Sequence, residues 1–311
     1  MKSISQELIE NVAYELNRRA AISLPGDIIQ ALKQGCQRES KPMARYVLGQ
    51  ILDNANIAVE DGRAICADTG LPRFYVKAGN EAIIEKGFVA LEGSLRHATS
   101  RATRDFQLRA NRVHPLTRHN PGNNVGIHAP SVDYSFEPDA NWLELTAVHK
   151  GGLFGSDYRM LFPGDGTDGI KRFFLDCISM FGHRGLSCTP VVVGIGIGGA
   201  KDQCVRLGKE ACSLRVIGDR HPEPEVAQLE EELIQLGNRT GFGVMGLPGD
   251  VSVFDVHIEL AYAHTGGLPV AISQFCNTLR RATARIYPGG QVDYRDDPRW
   301  FTPYYRRTGI E

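Results

Sequence analysis

The 311-residue chain is almost without net charge: 35 basic side chains stand against 36 acidic ones, leaving −1 at pH 7. With no excess of positive charge, neither nucleic acid nor an acidic membrane surface is an expected partner. No stretch approaches the roughly 20 apolar residues of a membrane span. The opening Met1-Lys2-Ser3-Ile4-Ser5-Gln6-Glu7 also lacks the apolar core of a signal peptide. A cytoplasmic location is therefore expected. Cysteine is sparse, seven in all, and no two are spaced as CxxC, which argues against a zinc finger or a thioredoxin-like site. In a reducing compartment those cysteines are expected as free or metal-bound thiols. There is no internal repeat and no low-complexity tail.

What remains is an ordinary globular composition, 42% apolar and 23% charged, on a chain long enough to bury a large core. Glycine, at 34 residues, is the one excess, and it clusters where backbone would have to approach something closely. The first third reads as helical. Ile4, Leu8, Ile9, Val12 and Leu16 recur at helical spacing, Asp27 suits the cap of a second helix that stops at Gly35, and Ser40-Lys41-Pro42 opens a third. A fourth helix is expected from near Asn80 to Leu95. From Asn111 to Pro138 the chain is loop-rich, with a turn cluster at Asn120-Pro121-Gly122-Asn123-Asn124. Beyond it, strands are expected near 142–148, 191–197, 214–217, 251–260 and 268–272, with helices near 167–181 and 224–236 between them. The fold class is α+β: an N-terminal helical lobe, 1–110, packed on a mixed α/β sheet lobe, 111–311.

Three cysteines stand in polar, turn-rich settings: Cys66 in Cys66-Ala67-Asp68-Thr69-Gly70, Cys188 in Ser187-Cys188-Thr189-Pro190, and Cys276 between Phe275 and Asn277. Three thiolates meeting at one point would make a soft metal site with an open position. Wide separation in sequence leaves the alternative of three unrelated thiols. Cys177, on the stripe Ile170, Phe173, Phe174, Cys177, Ile178 and Phe181, reads as a core residue, as do Cys204, Cys212 and Cys36.

A rival reading comes from Gly194-Ile195-Gly196-Ile197-Gly198-Gly199, which satisfies GxGxxG after an apolar strand, with Asp219 at the distance of a ribose-binding acid. It would make the chain a nicotinamide-dependent (NAD) oxidoreductase. Against it, the surroundings lack the regular strand–helix alternation of a doubly wound domain. Around the cysteines, Asp68 and Thr69 could face a ligand beside Cys66, and Arg109 could grip a carboxylate through its planar fork. His264, in His264-Thr265-Gly266-Gly267, has no packed stripe around it, and the amides of Lys150-Gly151-Gly152-Leu153 could hold an anion.

Together these segments resemble the iron–sulfur hydro-lyases of the class I fumarase and L(+)-tartrate dehydratase family, over nearly the whole chain and in motif order. The family's C-Q-D-T-G appears as Cys66 to Gly70, its C-P-P-V segment as Cys188 to Gly199, and its H-T-A-G-L-P-V-A segment, cysteine and R-R-A-T-A-R-I as His264 to Ala271, Cys276 and Arg280 to Ile286. The resemblance implies a [4Fe–4S] cluster held by Cys66, Cys188 and Cys276, its fourth iron open to substrate. It also implies a small four-carbon dicarboxylate as substrate, lined by Asp68, Arg109, Gly152 and His264, with Asp68 and His264 in catalytic roles. The alternative of an iron–sulfur regulatory protein without catalysis stays open. Ala67 stands where relatives carry glutamine, Thr189 where they carry proline, and Gly151 to Tyr158 departs from the usual G-S-E-N. The His264 segment is slightly more like fumarases. Single-chain relatives continue into a second domain, so the resemblance further implies an alpha subunit that needs a beta-type partner, as a dimer of heterodimers.

Overall fold

The computed structural model describes residues 2–151, 156–183 and 188–309. In chain order the elements are α1 (Gln6–Ile22), α2 (Gly26–Arg38), α3 (Pro42–Asp61), β1 (Leu71–Gly79), α4 (Gly87–Asp105), β2 (Ser131–Glu137), β3 (Leu143–Lys150) and β4 (Ser156–Leu161). They continue with α5 (Gly166–His183), β5 (Val191–Ile197), α6 (Lys201–Leu214), α7 (Pro224–Asn238), β6 (Val253–Leu260), β7 (Leu268–Phe275), β8 (Arg281–Ile286), β9 (Val292–Arg295) and α8 (Thr302–Thr308). Helices and mixed sheets in one chain make the α+β class expected from the sequence. No described helix is long and apolar enough to cross a membrane.

The chain divides into two compact units, each assembled from separated segments. The first comprises Met1–Gly26, Asn54–Gly152 and Arg280–Gly309. Its five-stranded sheet runs β2-β1-β3-β8-β9, with β1 parallel to β2 and antiparallel to β3. Ser5 caps α1 by accepting from Leu8 N at 3.3 Å. The stripe it starts (Ile9, Val12, Ala13, Leu16) packs with Leu91, Leu95 and Ala98 of α4 over Phe74, Val76, Leu143 and Leu145 of the sheet. On the opposite pleat, Glu144 is held by Lys77 at 3.4 Å and Arg285 at 2.9 Å, and Thr146 meets Thr283 at 2.9 Å. A pleat buried on both sides needs such pairing, because an isolated charge there would be costly.

The second unit comprises Asp27–Asp53, Leu153–Leu279 and Ile310–Glu311. Its sheet runs β4-β7-β5-β6, with β5 parallel to β6 and antiparallel to β7. Val191, Val193 and Ile195 of β5 face the core formed with Phe173, Phe174, Leu229 and Leu233 of α5 and α7. The alternate residues are Gly194 and Gly196, and α6 lies against them. A Cβ on Gly194 would overlap the Gly208 carbonyl and the Cys212 amide, and one on Gly196 would overlap the Cys204 carbonyl. Two glycines of the apparent dinucleotide fingerprint, Gly194 and Gly196, thus serve helix-to-strand contact, and Asp219 pairs with Arg215 at 3.2 Å.

Several expectations need correction. A strand, β1, lies inside the first third, and the fourth helix starts at Gly87 rather than near Asn80. Residues before it bond elsewhere: Asn80 N donates to the Glu137 carbonyl, Glu81 N to that of Ala140, and Ile4 N to that of Ile83. Gly35 does not stop α2, which runs to Arg38; a Cβ at Gly35 would lie 3.4 Å from the Phe254 ring, so the glycine serves packing. The expected strand at 214–217 is the end of α6 followed by a turn, where Ile217 N donates to Asp27.

Candidate functional site

In the first unit the Asp68 loop leads directly into β1. Gly70 has φ +76°, open to glycine at little cost, and a Cβ there would stand 2.6 Å from the Lys150 carbonyl carbon. That contact follows from sheet register, since Leu71 of β1 pairs with Lys150 of β3. Two side chains from distant parts of the chain then grip the loop. Asn111 donates from Nδ2 to Asp68 Oδ1 at 2.6 Å and to the Gly70 carbonyl at 2.9 Å. Arg280 donates to the Asp68 carbonyl at 2.7 Å. Gly70 N adds a third donor to the loop, to Asp68 Oδ1 at 2.9 Å.

Among the described residues, no hydrogen bond reaches Asp68 Oδ2. It lies on the Gly151 side, 3.5 Å from where a Cβ on that glycine would be. Arg280 is buried, and its own carbonyl accepts from His149 N at 3.0 Å where β8 joins β3. The His149 ring is fully enclosed and its pKa is pushed down to about 3, by burial first and then by the Arg280 charge. A neutral imidazole beside a cation avoids a second uncompensated charge. Arg109 sits exposed beyond the end of α4, its carbonyl accepting from Asn124 Nδ2 at 3.1 Å. Gly152 lies outside the described residues.

In the second unit, antiparallel pairing brings two of the three suspected thiols to one place. Val192 of β5 pairs with Phe275 of β7, so the residues before β5 and after β7 share one end of the sheet. Asn277 ties them: its N–H donates to the Cys188 carbonyl at 2.9 Å and its Nδ2 to the Thr189 carbonyl at 2.8 Å. Thr189, with a cis peptide to Pro190, donates from its hydroxyl to the Gly243 carbonyl at 2.6 Å. Cys188 is exposed and Cys276 half-buried, its Sγ 3.4 Å from the Thr278 hydroxyl. His264 lies elsewhere. It occupies the exposed turn between β6 and β7, at the opposite end of the same sheet, about 25 Å of strand away from Cys276 for the eight residues of β7. The structure therefore brings Cys188 and Cys276 together and does not bring His264 to them.

Cys177, Cys204 and Cys212 are buried as core residues, whereas Cys36, read with them from the sequence, is half-buried. Cys177 and Cys204 are buried, with thiol pKa values pushed up to about 12 by burial, and burial raises that of Cys36 as well. Iron is held by thiolate, so thiols kept protonated by an apolar setting are poor ligands. Cys66, half-buried, belongs to the first unit. Among the described residues, no group of three or more His, Cys, Asp or Glu side chains is arranged to hold a metal ion. Each of Cys66, Cys188 and Cys276 has a thiol that is half-buried or exposed, the kind of donor an iron–sulfur cluster takes. Sequence reasoning passed over Asn111, Asn124 and Asn277. Their only signal was position, each within three residues of a suspected site residue or inside the turn cluster that follows.

Comparison with known proteins places this geometry in context. A family model described as fumarate hydratase (Fumerase) matches residues 10–285. A protein of Methanocaldococcus jannaschii, provisionally named L(+)-tartrate dehydratase subunit alpha, is 41% identical over 283 residues, covering 89% of this chain and 97% of that protein. The L(+)-tartrate dehydratase subunit alpha of Escherichia coli K12 is 32% identical, covering 90% of each chain. The subunit of the same name from E. coli UTI89 is 33% identical over the same shares.

Proposed function

The chain belongs to the fumarate hydratase (Fumerase) family, and from that premise we propose that it is the alpha subunit of an iron–sulfur hydro-lyase acting on a four-carbon dicarboxylate. The candidate reactions are dehydration of L-tartrate to oxaloacetate and interconversion of malate and fumarate; the names of its relatives favour tartrate. The observation that carries the reading is the pairing of Cys188 with Cys276 through Asn277, while Cys177, Cys204 and Cys212 are buried.

Loss of water from a 2-hydroxy dicarboxylate demands two things: a poor leaving group must be stabilised and a proton must leave the neighbouring carbon. Cys66, Cys188 and Cys276 would hold a [4Fe–4S] cluster, which when bound supplies a Lewis-acidic iron for the hydroxyl. Asp68 offers Oδ2 as an acceptor for a substrate hydroxyl, since its other oxygen is already engaged by Asn111 and Gly70. Arg109 presents an exposed guanidinium, whose fork matches a substrate carboxylate. Gly152 would add a backbone N–H. A beta-type subunit supplies the remaining groups, including the base, in a dimer of heterodimers.

Anaerobic purification with a beta-type subunit, followed by assays on tartrate, malate and fumarate, tests the proposal. Brown protein is expected, with dehydratase activity abolished in Cys66→Ser, Cys188→Ser and Cys276→Ser. Full activity in any one of those variants, or in metal-free protein, would overturn it.

A further inference from the structure

We propose that Asn124 is a positioning residue that sets the spacing between Arg109 and Asp68, the two substrate contacts proposed in the first unit. The inference rests on the hydro-lyase reading and adds a residue that this reading does not contain. Asn124 sits in the turn cluster after the polar loop, fully buried, with φ +59°, a conformation asparagine tolerates better than most residues. Burying an amide costs free energy unless all of its polar positions are satisfied.

Here they are satisfied by the substrate loop itself. Nδ2 donates to the Arg109 carbonyl at 3.1 Å and to the Thr103 hydroxyl at 3.2 Å. Oδ1 accepts from Asn111 N at 2.8 Å and from Arg112 N at 3.4 Å. Thr103 is itself anchored in α4, its hydroxyl donating to the Thr99 carbonyl at 2.8 Å. One side chain thus fixes residues 109, 111 and 112 to a helix end. Asn111 carries the constraint onward through its 2.6 Å bond to Asp68 Oδ1. Bonds to a carboxylate are stronger and more directional than neutral ones, so where the Asn111 backbone goes, the Asp68 carboxylate follows. Two loops tied so that their substrate contacts keep a fixed separation are what recognition of a dicarboxylate of one length requires. Displacing such contacts by about 1 Å can cost on the order of a hundredfold in rate.

The test uses the anaerobically purified complex with the beta-type subunit and compares Asn124→Ala, Asn124→Asp, Asn111→Ala, the double variant Asn111→Ala/Asn124→Ala, and Asn123→Ala as a control in the same turn. The readouts are KM, kcat per cluster, cluster absorbance and Tm. Asn124→Asp keeps the acceptor but replaces the donor to Arg109 and Thr103, so it reports on the link if the alanine variant fails to fold. KM is expected to rise about tenfold or more in both Asn124 variants at unchanged cluster content, with Asn123→Ala like wild type. The double variant is expected to be no worse than the worse single, because both act on one link. Wild-type KM in Asn124→Asp, or losses that simply add in the double variant, would overturn the role while leaving the hydro-lyase reading intact. A wild-type complex inactive on every four-carbon 2-hydroxy dicarboxylate would instead bring down the function and this inference with it.

Discussion

The β5–α6 contact of the second unit and the Asp68 loop of the first both depend on glycine, and they are held by opposite means. At β5, absence of side chains does the work: Gly194 and Gly196 let the α6 backbone press directly on the strand. At Asp68, side chains do it: Asn111 and Arg280, from separate stretches of sequence, hold one short loop by three hydrogen bonds. Steric contact between backbones is unforgiving and chemically silent. Polar clamps cost less to disturb but leave one specified oxygen without a donor among the described residues. The pattern that looks most like a cofactor motif therefore lies in the scaffold, and the plainer Asp-Thr-Gly is the better candidate for chemistry.

The contrast breaks most visibly on stability. Gly196→Val puts a branched side chain into the Cys204 carbonyl, which belongs to helix backbone and cannot rotate away. A loss of about 3 kcal/mol or more is expected, the upper range for overpacking, measured by denaturant unfolding or seen as insoluble protein. A stable, soluble Gly196→Val protein would show that α6 is not seated as described. Asp68→Asn should do the reverse. It keeps the size of the side chain and leaves Tm nearly unchanged, yet kcat/KM is expected to fall by about 2–4 kcal/mol, the scale of losing one charged contact to a reacting group. Retained kcat/KM in Asp68→Asn would remove that residue from the site.

Much of this was legible in the sequence where a local rule sufficed. The 191–197 strand and the helix at 224–236 follow from apolar runs and a proline at the helix start, and β5 matches its expected bounds. Cys177 was recognisable as buried because it falls on a helical stripe, and Cys204 and Cys212 because they lie in a helical segment, whereas Cys36, grouped with them, is only half-buried. What escaped depends on pairing between distant segments. β1 hides in a stretch with no clean alternation because both its faces are covered, so its burial is nearly continuous. Asn111 and Arg280 act on Asp68 only because β8 lies beside β3 and the loop after α4 returns to β1. Asn124 looked like turn punctuation. Its role needs the folded loop, since an asparagine that caps a turn and one that links four backbone and side-chain groups are spelled alike. The site at His264 shows the converse: a distinctive local motif whose placement on the sheet, far from Cys276, no motif reveals.

The smallest expected effect compares the units through one buried histidine in each. Burial and a neighbouring arginine depress both: His149 to about 3, beside Arg280, and His221 to about 4, beside Arg215. In the unfolded chain each would titrate near the ordinary value of about 6.5. Between the folded and unfolded values the unfolded state therefore binds protons that the native state refuses, so stability rises with pH across that interval. Above about pH 6.5 neither histidine adds a pH dependence. As pH falls from there toward 4, both drain stability together, and between 4 and 3 the drain from His149 continues after His221 has begun to protonate in place. Replacing His149 with Gln, whose Nε2 can still donate to Asn17 Oδ1, should flatten the acid limb of a stability–pH curve between about pH 6 and 3. The matching His221→Gln curve should flatten over a narrower window that ends nearer 4. An unchanged acid limb in His149→Gln would mean that its ring is already protonated in the native state, and that Arg280 beside it carries less positive potential toward the Asp68 loop than its burial implies.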